Sequence, residues 1–309
     1  MYDIVGKRKW FFILSSVLIL LGIGAMIYST IQYGTPMRIG VDFTGGTRLE
    51  ARFTETADEQ AMREVLVGYG LDPKIQQLGD PGTNAWQIRT SFVDPEEVQQ
   101  ILNDLDAQVA PLDRELTRYD TVSPSVGGEV TRAAAVAVFV ASGIVLLFIW
   151  FSFRRVAHAF RYGASAIAAM LHNLLIAAGF FSLMGLFRGW EVDALFLTAI
   201  LTVVGFSVQD SIVVFDRVRE NAQRRREPIE ALVNRSILEV VVRSVTTQLN
   251  AMFVMTAILL FGGASLEKFV ATWLVGMISG TYSSICIAAP LLIEWENAAQ
   301  RRELRQAAA

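Results

Sequence analysis

Cysteine and histidine are almost absent. A single cysteine, Cys286, lies inside an apolar run, and the 309 residues hold only two histidines. A disulfide framework and a thiol–metal cluster are therefore excluded. So small a ligand set also argues against a zinc enzyme. No metal and no cofactor are expected, and no nucleic-acid partner. No cleavable leader is expected either. The first apolar run, Trp10–Tyr28, follows Lys7-Arg8-Lys9. It is longer than the roughly 7–15 residues of a signal-peptide core and lacks a convincing A-x-A site, so it reads as a retained anchor.

What the chain has in excess is apolar sequence. Hydrophobic residues make up 53%, against about 45–50% in soluble domains, and the excess is gathered into long runs. Six segments reach the about 20 residues that a bilayer requires: 10–30, 133–153, 163–186, 193–215, 240–262 and 269–293. The connections alternate in charge. One side carries Lys7, Arg8 and Lys9, then Arg154, Arg155 and Arg161, then Arg217, Arg219, Arg224, Arg225, Arg226 and Arg235, and finally Arg301, Arg302 and Arg305. The short opposite loops carry Arg188 and Lys268. Positive charge stays inside, so both termini are expected in the cytoplasm of a multi-pass cytoplasmic-membrane protein.

Residues 32–131 form the one sizeable polar stretch. The segment 31–131 holds 17 Asp/Glu and 8 Lys/Arg. Alternation and helical periodicity predict strand 47–53, helix 57–69, strands 73–79 and 85–92, helix 94–107 and strand 115–122. This β-α-β-β-α-β order predicts a ferredoxin-like α/β sandwich outside the cytoplasm, with Pro81-Gly82 turning between its halves. The chain thus divides into an N-terminus and first span (1–31), the outer α+β domain (32–131), a five-helix block (132–295) and a cytoplasmic tail (296–309). Pro228 opens a helix in the cytoplasmic connection. The stretch "IEALVNRSILEV" reads as an interfacial helix feeding the fifth span.

Four polar side chains interrupt the later spans at depth: His172, Asn173, Asp210 and Arg243. A central Asp or Arg costs about 2.5–3.5 kcal/mol to insert, which marks it as a functional candidate in need of a partner. Asp210 lies about 9 Å from the cytoplasmic end of its span at a rise of about 1.5 Å per residue. Arg243 enters from the same side, and its long side chain would reach Asp210 if the helices are neighbours. Arg243 alone could equally snorkel to the interface. Burial favours a protonated Asp210 and a guanidinium favours the carboxylate, so a helix movement between them would take up or release a proton. Thr246, Thr247 and Asn250 continue the face of Arg243. Gly205, Ser207 and Ser211 would let the fourth helix approach its neighbours. His172 reads either as a relay or as a neutral histidine packed on Asn173. Asp216, Arg217, Arg219 and Glu220 sit at the membrane edge and are expected to pair at helical spacing. The glycines Gly45, Gly46, Gly127 and Gly128 flank the outer domain and are either hinges or tight turns.

"VDFTGGT" at 41–47, "VGFSVQDSIVVFDRVREN" at 204–221 and "VNRSILEVVVRSVTTQ" at 233–248 together resemble the SecF family of the bacterial Sec export machinery, over nearly the whole chain. The resemblance implies an RND-type bundle completed by SecD and cooperation with the SecYEG channel on an unfolded preprotein. It implies inward proton flow as the energy source, with Asp210 and Arg243 at the proton-linked positions. Sodium suits the same oxygen ligands. YajC and YidC are further candidate partners. Many relatives carry His-Asp where this chain has His172-Asn173; if that Asp carries protons in them, the relay here is shortened.

Two other readings compete. An RND-type lipid or small-molecule exporter subunit would need a larger external domain enclosing a cleft. An intramembrane aspartyl protease would need two facing aspartates. Asp193 and Asp216 stand at opposite edges of the Asp210 helix, and the Gly-x-Gly-Asp motif is missing. The chain is therefore read as a transport subunit and not as an enzyme.

Overall fold

The computed structural model describes residues 3–78, 84–154, 158–224 and 227–307. The turn expected at Pro81-Gly82 lies outside them. Six helices among the described residues are long and apolar enough to cross a membrane. Contacts divide the chain into two compact units, one of Ser29–Ala137 with Leu183–Ala194 and one of the remainder.

In the first of these, the chain leaves helix α1 (Arg8–Tyr33) and makes one short turn, α2 (Val41–Thr44). It then forms β1 (Gly46–Arg52), α3 (Glu59–Gly68), β2 (Lys74–Leu78), β3 (Ala85–Thr90), α4 (Pro95–Gln108) and β4 (Arg118–Val122). The sheet order is β2-β3-β1-β4, antiparallel at each pairing. Helix α3 is started by Asp58, whose carboxylate accepts from the Ala61 N–H at 3.2 Å, and α4 by Pro95 in its first turn. Val98, Ile101, Leu102 and Leu105 of α4 recur at helical spacing and are buried with Met62 and Leu66 of α3 against Leu49, Ala51 and Ile88 of the sheet.

Three of the four glycines that flank the sheet are closely packed, whereas a Cβ on Gly128 would meet nothing within 4 Å. Gly45 and Gly46 have φ of 69° and 110°, in the region that side chains resist. A Cβ on Gly46 would lie 2.6 Å from the Thr90 carbonyl oxygen, and one on Gly127 would lie 2.8 Å from the Gly45 nitrogen. Gly127 and Gly128 belong to helix α5 (Pro124–Phe153), which begins nine residues before the span expected at 133. Gly46→Ala is accordingly expected to destabilise the α/β unit by about 1–3 kcal/mol, measured as earlier thermal cleavage of that unit by protease. A free hinge would accept alanine without loss.

The second unit is helical. It holds the greater parts of α1, of α5, of α6 (Ala159–Arg188) and of α7 (Ala194–Arg224), with α8 (Ile229–Phe261), α9 (Ala264–Ser283) and α10 (Ala289–Ala307). A π-helical turn, Ser284–Ala288, joins α9 to α10. Pro290 follows it; proline lacks an N–H and clashes with the carbonyl four residues back, so the wider turn relieves a strained α-helix. The expected interfacial helix is not a separate element. Residues 229–261 are one helix, because Leu232, Val233, Ile237 and Val240 bury on the same face as Ser244 and Gln248. A Cβ on Gly205 would meet nothing within 4 Å, so close packing of α7 does not run through it. Glycines permit close approach instead where α9 meets α7, at Gly276 against Val203, and where α1 crosses α6, where a Cβ on Gly22 would lie 2.9 Å from the Gly179 Cα.

Candidate functional site

Helix α7 buries one stripe: Val203, Ser207, Asp210, Ser211, Val214, Val218 and Asn221. Its apolar members pack into the core and its polar members must find partners there. Asp210 is 7% exposed. Its Oδ2 accepts from Gln248 Nε2 of α8 at 2.6 Å. Gln248 Oε1 is buried and has no hydrogen-bond partner among the described residues. A groove of about 300 Å³ between α8 and the last span, lined by Leu249, Met252, Tyr282 and Cys286, reaches Gln248 from the side.

One turn before Asp210, Ser207 joins a second polar knot. Asn173 of α6, wholly buried, donates from Nδ2 to Ser207 Oγ at 2.7 Å. Its Oδ1 accepts from Ser279 Oγ of α9 at 2.7 Å and lies 3.0 Å from His172 Nδ1. Asn173 therefore ties α6, α7 and α9 together, and His172 is packed on it. The His172 ring stands 6.2 Å from that of Tyr282, whose hydroxyl donates to the Phe11 carbonyl at 2.7 Å. Asn173→Ala would strand Ser207 and Ser279, at a cost of about 1–3 kcal/mol for each stranded buried group. A fall in the melting temperature of the purified protein, with no change in its membrane insertion, is the expected result.

Arg243 does not join this site. It is exposed, and among the described residues Asp210 forms no ion pair with it. The reason is angular. Ser244 and Gln248 face α7, whereas Arg243 lies about 140° around the helix from Gln248 at about 100° per residue. Thr246, Thr247 and Asn250 share the exposed face, and Thr247 Oγ1 donates to its own helix, to the Arg243 carbonyl at 2.9 Å. At the end of α7 the expected local pairs are present: Asp216 with Arg219 at 2.7 Å, and Arg217 with Glu220. Arg217 also holds Glu239 of α8 at 2.6 Å.

Sequence reasoning missed Gln248, Ser207 and Ser279 as partners. Gln248 could have been found from the buried spacing 240, 244, 248. It also passed over Glu191, which is wholly buried beside Arg38, Arg48 and Arg89 in the α/β unit. Burial lowers the pKa of Arg38, and the nearby Glu191 opposes that. Burial acts in the same sense on Arg48, but its bond to Asp120 and the charges of Glu191 and Glu50 outweigh it, and its pKa is raised. Among the described residues no cluster of three or more His, Cys, Asp or Glu could hold a metal ion.

Two family models match the chain. One describes the C-terminal part of the SecD/SecF protein-export membrane proteins and matches residues 101–298. The other describes the SecD/SecF GG motif and matches residues 33–57. Protein translocase subunit SecF of Anaerolinea thermophila is 40% identical, covering 100% of this chain and 98% of its own length. Protein translocase subunit SecDF of Thermus thermophilus is 33% identical over 92% of this chain, which spans only 38% of that protein. A crystal structure of SecDF from Thermus thermophilus, a translocon-associated membrane protein, superposes with a TM-score of 0.76 at 30% identity, over 96% of this chain and 39% of that one. A second SecDF crystal structure, in a super-membrane-facing form, gives 0.66 at 30% identity over 99% and 40%. Both the motif at the start of the α/β unit and the helices that build the Asp210 site fall within these matches, and the chain belongs to the SecF/SecDF family of Sec translocase membrane subunits.

Proposed function

We propose that the chain is the SecF half of a SecD–SecF pair in the bacterial cytoplasmic membrane, and that it couples ion movement at Asp210 to preprotein translocation. The family role is assistance to Sec-mediated translocation; the coupling and the residues are our reading. The observation that carries it is the Asp210–Gln248 contact. A carboxyl group buried in a membrane span is held by a neutral amide. An amide donates to a carboxylate through Nε2 and accepts from a carboxylic acid through Oε1, so one partner serves both protonation states. A structural ion pair would have fixed the carboxylate in one state.

Arg243 supports the pairing with SecD. It lies on a face of α8 that this chain leaves uncovered, inside a candidate span. A guanidinium is costly there unless a partner supplies charge or polar groups. Helices of SecD would cover this stripe and complete an RND-type bundle. The strand order favours a ferredoxin-like sandwich for the α/β unit, and the charge bias of the loops favours placing it outside, with both termini inside.

The test is translocation into inverted membrane vesicles that contain SecYEG and SecD, with or without this chain. An imposed proton gradient should accelerate the late stage of translocation only when the chain is present, and an ionophore should abolish the gain. Equal acceleration by a sodium gradient alone would make sodium the coupling ion. Acceleration that survives collapse of both gradients would reduce the chain to a passive role.

A further inference from the structure

We propose that Glu191 is the positioning residue of a clasp that seats the connection leading into α7, up to Ala194, on the face of the sheet that α3 and α4 leave free. The proposal rests on the reading of Asp210 as the coupling site.

The clasp follows from the register of the sheet. Helices α3 and α4 cover one face. On the other, Arg48 stands directly opposite Arg89, and Arg89 directly opposite Lys74. Like charges so placed are destabilising. Asp120 answers Arg48 from the edge strand. Glu50 lies 3.9 Å from Arg48 on its own strand, and Glu191 answers Arg48 and Arg89 together from the connection between α6 and α7. Its Oε1 lies 3.3 Å from Arg89 and 3.7 Å from Arg38, and its Oε2 lies 3.6 Å from Arg48. The three guanidinium groups come from three segments: the exit of α1, β1 and β3. Neither carboxylate oxygen makes a hydrogen bond among the described residues. Glu191 is thus held by charge from several sides and not by one fixed bond geometry, which tolerates small rotations and resists withdrawal.

The backbone on both sides is joined as well. Val192 N–H donates to the Arg38 carbonyl at 2.7 Å, and Gly40 N–H donates to the Val192 carbonyl at 2.8 Å. A Cβ on Gly40 would lie 2.6 Å from that oxygen, so only glycine permits the approach. Asp42, of the "VDFTGGT" motif, accepts the N–H of Ala194 at 3.1 Å. Ala194 is the first residue of α7, so a carboxylate from a distant segment caps this helix. Helix α7 continues unbroken through Asp210 to Arg224. Buried charges contribute little net stability compared with apolar residues of the same shape. Their use here is to define one seating of the connection on the sheet.

The experiment uses the full chain with SecD in membranes. Glu191→Gln keeps shape and removes charge. It is expected to speed hydrogen exchange at Gly40 and Val192. It should lower gradient-driven export about tenfold, the scale of a typical coupling free energy, while proton flux through the pair stays at the wild-type level. A disulfide between Ile39→Cys and Val192→Cys, whose positions are bridged in the clasp, should restore export to Glu191→Gln. A merely structural role would not give that rescue together with unchanged flux. Should Glu191→Gln fail to accumulate, Arg89→Gln, at a side chain 26% exposed, carries the same readouts. Wild-type export in both variants overturns the proposal, as does a disulfide that forms without restoring export. Normal flux in Asp210→Asn would instead sink the reading of Asp210, and the clasp would still be judged by exchange at Gly40 and Val192.

Discussion

Asp210→Asn is expected to leave the protein inserted and assembled with SecD while abolishing the proton-driven gain in export. Asparagine keeps the shape of the side chain and the bond to Gln248, so α7 and α8 remain packed. What it removes is the only group of the contact that can gain and lose a proton. The energy at stake is sufficient. One charge crossing 100 mV is worth about 2.3 kcal/mol, and at about 1.4 kcal/mol per factor of ten this biases a two-state element roughly fiftyfold. A loss of that order in gradient-driven export, with ATP-driven export unchanged, is the predicted result. Export of Asp210→Asn at the wild-type rate under a gradient would contradict it. Gln248→Leu should give a smaller loss, since it keeps the carboxyl group but removes the partner that serves both of its states.

Arg243→Ala is expected to have the second largest effect, and to have it only in the complex. In the chain by itself Arg243 points away from Asp210, so infrared titration of the Asp210 carboxyl should be the same in Arg243→Ala as in the wild type. Once SecD covers α8, loss of the guanidinium leaves the partner's groups unanswered, and both affinity for SecD and gradient-driven export should fall. A buried charge left unpaired costs about 3–5 kcal/mol, which corresponds to a loss of affinity beyond a hundredfold. Arg243→Lys should restore this in part at best, because an ammonium lacks the planar fork of the guanidinium. A changed Asp210 titration in the isolated Arg243→Ala chain would show that the two residues are neighbours after all.

The contrast between Asp210 and Arg243 shows what was legible in the sequence. A lone carboxylate in an apolar helix is visible because nothing else explains its insertion cost. Depth along each helix is legible too, since rise per residue is fixed. Rotation about the helix is not, until the buried face is known. Ser244 and Gln248 define that face of α8, and a neutral glutamine among apolar residues gives a far weaker signal than an arginine one turn away. The strands were legible because β1 and β3 alternate cleanly, and α4 because its apolar spacing is unbroken. The start of α8 was misread because Ile229–Glu239 is amphipathic, a pattern shared by surface helices and by helices that bury one side in a core. Glu191 was hidden for a different reason. Its burial is created by Arg38, Arg48 and Arg89, which are far from it in sequence and meet only once the sheet has formed.

The connection that bears Glu191 belongs to the same compact unit as the sheet. Gly45, Gly46 and Gly127 are contact positions within that unit.

Proton influx tests the central claim most directly. SecD and this chain, reconstituted together in vesicles holding a pH-sensitive dye, are given an acid-outside gradient, and the wild type is compared with Asp210→Asn. The account predicts dye acidification with the wild type and none above the protein-free rate with Asp210→Asn. Equal acidification by the two would show that protons pass without Asp210.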